Sequence, residues 1–182
     1  MIDDKWKART QQALRRYADQ IHEQCVAAGR WDAYPHRADR WKAEGCMLVI
    51  SEIAEAMEGH RKGLMDDKLP EYPMFHVELA DAMIRLLDAS GPYPKFWDAW
   101  VEDLPFAKDA TSIPAKLRQV CLRLCQKRDS ASIRCGMALV LRITREEGIH
   151  NFWSIVYEKV EYNRTRADHQ REHRAKAGGK KY

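Results

Sequence analysis

SEIAEAME at residues 51–58 and HVELAD at residues 76–81 are the stretches on which the reading of this chain turns. In each, two acids stand three residues apart: Glu52 with Glu55, and Glu78 with Asp81. That interval puts both acids of a pair on one helix face, one turn apart. Met47, Leu48, Ile50, Ile53 and Met57 surround the first pair, and Val77, Leu79, Met83, Ile84 and Leu86 the second. The spacing predicts two amphipathic helices, over about 41–62 and 74–89, that pack on each other with their acids beside the apolar stripe. Gly63 stops the first of them, and Gly63, Pro70 and Pro73 make 63–73 a connector. Ser90-Gly91-Pro92 stops the second.

Outward from this pair the chain keeps a helical period. Leu14, Tyr17, Ile21, Cys25 and Ala28, with Trp6 before them, predict a helix over 4–29 that ends at Gly29. A loop over 30–40 carries Trp31, Tyr34, Pro35 and His36. Pro92, Pro94, Pro105 and Pro114, with Trp97, Trp100 and Phe106, mark an irregular stretch holding a short helix near 94–103. Helices follow over 114–127, 131–147 and about 151–172, and Gly178-Gly179 opens a frayed end. No segment alternates with a strand period and no fixed repeat recurs. The fold class is therefore all-α. The expected organisation is one domain over 1–175, with 92–150 a helical insertion, and a flexible basic tail at 176–182.

The 182 residues are 45% apolar and 32% charged, a balance that supports a core under a solvated surface. No run of about 18 apolar residues exists to span a membrane. The N-terminal MIDDKW lacks a signal-peptide pattern. The five cysteines (Cys25, Cys46, Cys121, Cys125, Cys135) include no Cys-x-x-Cys pair and suit free thiols in a reducing cytoplasm. The net charge of +4 is concentrated between Arg164 and Lys180. That end lacks the interleaved aromatics of a nucleic-acid arm. A non-catalytic helical module that binds nucleic acid through this tail is the rival reading. It requires salt-sensitive binding that disappears with residues 164–182.

Four carboxylates gathered near a core repel one another and are costly to desolvate. A dication relieves both problems, and hard oxygen ligands suit Mg²⁺ or Mn²⁺. The plainer alternative is two solvated helix faces. A di-iron centre wants Glu-x-x-His on two helices, and only Glu147-x-x-His150 has that form. Glu58 is a spare acid: a ligand, a base or a solvated side chain. Lys159, Asn163 and Arg166 follow i, i+4, i+7 spacing and share a face able to meet phosphate and a base or sugar. Arg61, Lys62 and Lys68 stand near the end of the first acid-bearing helix, within reach of a triphosphate or of the helix C-terminus. Without a Gly-rich phosphate loop, phosphate must be met by metal and side chains.

SEIAEAMEGHRKGLMDDKLP, then HVELADAMIRLLD, then EKVEYNRTRADH resemble the all-α MazG-like nucleoside triphosphate pyrophosphohydrolases, above all their short phage and prophage members. The likeness covers about 41–91 and 155–180; the N-terminal 40 residues carry little of its motif, and their aromatics, Trp31 and Tyr34 among them, are expected to line a base pocket. It implies a MazG-like helical bundle that binds Mg²⁺ with Glu52, Glu55, Glu78 and Asp81. It implies cleavage of a nucleoside triphosphate to the monophosphate and pyrophosphate, and contact of Lys159 and Asn163 with the nucleotide. Through the likeness to phage nucleotide-pool enzymes, a purine deoxynucleotide such as dGTP is the expected substrate. Many relatives carry a further Glu where Ser51 stands, so the proton acceptor is left open between Glu52 and Glu55. The short acid-bearing helices leave apolar faces uncovered, and a homodimer or homotetramer is expected.

Overall fold

In the computed structural model, which describes residues 4–34, 36–99, 104–127, 129–166 and 171–174, every extended element is helical. Pro35, Trp100 and the tail at 176–182 lie outside the described residues, as does the side chain of Trp6. Helix α1 runs Asp4–Ala27. Helices α2 (Ala38–Arg40) and α3 (Cys46–Lys62) are joined by a π turn over Trp41–Gly45. Helix α4 spans Met74–Ser90. After a 3₁₀ turn at Phe96–Ala99 come α5 (Ile113–Lys127), α6 (Ser130–Glu146), α7 (Phe152–Thr165) and the single turn α8 (Arg171–Arg174). No helix among the described residues is long and apolar enough to cross a membrane.

The centre of the molecule is α4. Val77, Leu79, Ala80, Ala82, Met83, Leu86 and Leu87 are all inaccessible to solvent, so this helix is covered on nearly every side. Helices α1, α3, α6 and α7 surround it. Each presents one helix-spaced stripe to it: Leu14, Ala18, Ile21 and Cys25 from α1, Val49, Ile53 and Ala56 from α3, and Phe152, Ile155, Val156 and Val160 from α7. Helices α5 and α6 add Leu117, Val120, Leu124, Ile133, Met137, Val140 and Ile143 to the same continuous core. The stretch 92–150 thus shares its core with α4 and α3. Asp129 caps α6, accepting from the backbone N–H of Ala131 at 2.9 Å and of Ser132 at 3.2 Å.

Three boundaries differ from the expectation. The helix over 41–62 begins earlier, at Ala38, and contains the π turn, closed by a bond from the Cys46 N–H to the Trp41 carbonyl. One extra residue in that turn shifts the register of the helix, so that Trp41 and Glu44 are buried together with Val49 and Glu52. Of the helix over 94–103, the described residues show the 3₁₀ turn at Phe96–Ala99, and 100–103 lie outside the described residues. The last helix ends at Thr165, because Arg166 takes an extended conformation with ψ 129°.

The turn from α3 into α4 sets the spacing of the acid pairs. Gly63 adopts φ 63° and ψ 37°, the left-handed conformation that stops α3, and its N–H bonds the Gly59 carbonyl. The connector is held by Asp66, buried at 4% exposure, whose carboxylate accepts the N–H groups of Lys68 at 2.9 Å and Leu69 at 2.8 Å. Gly59 faces the start of α4 so closely that a Cβ there would lie 2.8 Å from the Phe75 nitrogen. This close crossing brings the face of α3 that bears acids against that of α4.

Candidate metal centre

Glu52 lies within the buried stripe of α3, between Val49 and Ile53, rather than beside it. Glu55, one turn later, is exposed. Glu78 on α4 is buried and faces them. One carboxylate oxygen from each of Glu52, Glu55 and Glu78 comes within 4.8 Å of the others. An octahedral Mg²⁺ shell with bonds of about 2.1 Å sets neighbouring oxygens about 3 Å apart and opposite ones about 4.2 Å apart. Small side-chain rotations close that difference. Three hard carboxylate oxygens, one of them solvent-facing, fit a divalent cation that keeps part of its water.

Asp81, the fourth predicted ligand, stands beside this triad and is engaged by α7. The Lys159 ammonium lies 3.0 Å from its Oδ2, and the Asn163 amide donates to Oδ1 at 3.5 Å. Lys159 is itself buried, at 4% exposure, because its stem fills the stripe between Ile155, Val156 and Val160. The i, i+4 part of the predicted cationic face, Lys159 with Asn163, therefore points at an acid of α4. Arg166 does not complete it. The extended backbone takes Arg166 off the helix, and its guanidinium lies 5.9 Å from the Tyr162 ring centroid. Arg61 and Lys62 are engaged by Glu58 at the exposed end of α3, Arg61 at 2.6 Å. These two bonds hold the Glu58 carboxyl below its ordinary range. Lys68 pairs with its neighbour Asp67 at 2.6 Å.

The electrostatics follow from burial. Desolvation, then the neighbouring Asp81, push the Glu78 carboxyl up to about 9, against the pull of Lys159. Burial also raises Asp81, with Lys159 acting against it. Burial works against the Lys159 ammonium, but Asp81, with Asp66 and Glu78 behind it, more than restores it, and its pKa is raised. Without a cation the cluster therefore retains a proton near neutral pH. A dication bound there would take the place of that proton and favour the carboxylate form.

Arg85 is a site residue that the spacing argument passed over. Its guanidinium bonds Glu52 across the α3–α4 interface. The signal was present: Glu78, Asp81 and Arg85 follow i, i+3, i+7 along α4. Ser51 is exposed, and its hydroxyl donates to the Leu48 carbonyl at 2.8 Å, so it bonds its own helix. Glu147 caps the end of α6 and pairs with Lys116 at 2.9 Å, while His150 follows beyond the helix, so Glu147-x-x-His150 forms no helical ligand pair.

Beside Asn163 opens a cavity of about 400 Å³, lined among others by Ile21, Gln24, Arg30, Ile84 and Val160. Trp31 and Tyr34, expected in a base pocket, are committed elsewhere. Trp31 is buried and its indole N–H donates to Asp88 at 2.9 Å, while the Tyr34 hydroxyl donates to Glu44 at 2.9 Å. Arg40 links the two acids, at 2.7 Å to Glu44 and 3.2 Å to Asp88, and lies over the Trp31 ring at 4.5 Å. The aromatics of the loop thus satisfy buried charge beneath the π turn. No family model, curated protein or solved structure matches this chain.

Proposed function

We propose that this chain is a Mg²⁺-dependent nucleoside triphosphate pyrophosphohydrolase of the MazG-like type, which cleaves its substrate to the monophosphate and pyrophosphate. The observation that carries the reading is the convergence of Glu52, Glu55 and Glu78 from two packed helices beside the Asp81–Lys159 pair. It is supported by the order of motifs, from ExxE through GLMDDKLP to ExxD and the Lys159/Asn163 helix.

In this reading Glu52, Glu55 and Glu78 would hold the cation. When bound, Mg²⁺ supplies charge for the phosphate oxygens and lowers the pKa of a coordinated water. Asp81 positions the Lys159 ammonium, whose charge offsets that developing on the phosphates. Glu52 is engaged by Arg85, whereas Glu55 is exposed, so Glu55 would accept the proton of the attacking water. Water would attack the α-phosphorus, and pyrophosphate would leave. The cavity beside Asn163 has room for the nucleoside, and dGTP is the first substrate to try. The exposed Met47, Met65, Trp153 and Tyr157 leave surface for self-association as a dimer or tetramer.

The test is to incubate the protein with each ribo- and deoxynucleoside triphosphate and Mg²⁺ and to separate the products. Monophosphate with pyrophosphate, lost by about 100-fold or more in Glu55→Gln and Glu52→Gln, is expected. The absence of turnover of every nucleotide, or unchanged activity in both variants, refutes the proposal.

A further inference from the structure

We propose that Cys46 and Cys125 form a reversible disulfide that ties α3 to α5. The two sulfurs lie 4.0 Å apart across the α3–α5 interface. A bond requires about 2.05 Å between them, a difference that side-chain rotation and a small helix adjustment close. Cys125 stands where such adjustment is easy. Cys46 is the first residue of α3, directly after the π turn, and Cys125 lies two residues before the end of α5.

Exposure and reactivity select this pair among the five thiols. Cys125 is exposed and open to an oxidant, and Cys46 is half-buried behind it. Cys25 is buried against Asp88, and burial followed by that carboxylate pushes its thiol up to about 12. Burial also raises Cys121, one turn before Cys125. Neither is a ready nucleophile, because the thiolate is the attacking form.

The chemistry needs a small disulfide such as oxidised glutathione. The Cys125 thiolate attacks one of its sulfurs, and one glutathione thiolate leaves. The Cys46 thiolate then attacks Cys125 Sγ and displaces the second. Two protein thiols are oxidised, one glutathione disulfide is reduced to two thiols, and the cysteine protons pass to the departing thiolates. The link fastens the stretch after α4 to the helix that carries Glu52 and Glu55. This inference does not depend on the hydrolase reading.

Trypsin makes the test specific. Cys46 falls in the peptide 43–61 and Cys125 in the peptide 124–127, while Arg123 separates Cys125 from Cys121. After treatment of the whole folded chain with oxidised glutathione, the monomer is expected to lose about 2 Da, the mass of two hydrogens. A 43–61/124–127 cross-linked peptide is expected, reversed by dithiothreitol and absent from Cys46→Ser and Cys125→Ser. Its unfolding midpoint is expected to rise on oxidation, as a closed loop restrains the unfolded chain. Cys25→Ser retains the link. A stable glutathione adduct on Cys125 without the cross-link, linkage through Cys121, or covalent dimers through Cys125 would each overturn the proposal.

Discussion

Without metal, Glu78→Gln is expected to gain stability relative to wild type as the pH rises, because the native carboxyl is held in its proton-bearing form and the wild type loses stability as that proton's contribution is lost. Glu78 is 6% exposed, and its folded pKa is raised by burial and Asp81 from 4.5 to about 9. In the unfolded chain the same group ionises above pH 4.5. Between those limits the folded state binds more protons than the unfolded state, so stability falls with rising pH. The contribution is fully present below pH 4.5 and is gone above about 9. Each pH unit inside the window corresponds to about 1.4 kcal/mol, so the loss reaches an upper limit of about 3 kcal/mol at pH 7. A neutral amide of the same shape does not titrate. Urea unfolding with a chelator present, at pH 5 and pH 8, measures the difference. The variant is expected to gain at least about 2 kcal/mol on wild type between the two. Added Mg²⁺ should raise the wild-type midpoint and leave that of the variant unchanged. A difference between variant and wild type that stays constant to about 0.5 kcal/mol across this range, with the Mg²⁺ response intact in both, refutes the reasoning.

Three other perturbations have defined outcomes. Lys159→Met leaves the Asp81 carboxylate without its buried cation and is expected to cost about 3 kcal/mol in urea unfolding; adding Asp81→Asn should recover most of it. Gly59→Ala places a Cβ 2.8 Å from the Phe75 nitrogen and 2.9 Å from Met74 Cβ. It should destabilise by about 2 kcal/mol and weaken any Mg²⁺ response, read by calorimetry, since the helices carrying the ligands must part. Arg40→Met strips the cation from Asp88 and Glu44 under the π turn and should cost about 3 kcal/mol, with the near-ultraviolet circular dichroism of Trp31 altered.

Much of this molecule was legible from residue types and their spacing. The helical period around Glu52 and Glu78 marked the two helices, and Gly63 marked the turn between them. Other features were not legible in that way. The π turn adds one residue to a helix without interrupting the run of apolar side chains, so the period conceals it. The break at Arg166 follows residues that all tolerate helix. Trp31 and Tyr34 have the composition of a pocket wall, but Asp88, far along the chain on α4, joins Arg40 and Glu44 at the π turn, and together these claim them.

Acids three apart share a helix face because of the 3.6-residue turn alone, and this much the sequence by itself determined: two acid pairs on two amphipathic helices in an all-α chain. Which acids meet was decided by tertiary structure. The depth of the α3–α4 crossing at Gly59 and the rotation of α7 about its axis bring Glu52, Glu55 and Glu78 together and give Asp81 to Lys159. Local spacing sets the direction of a side chain relative to its own helix, but partnership between helices depends on how they are packed against a shared core.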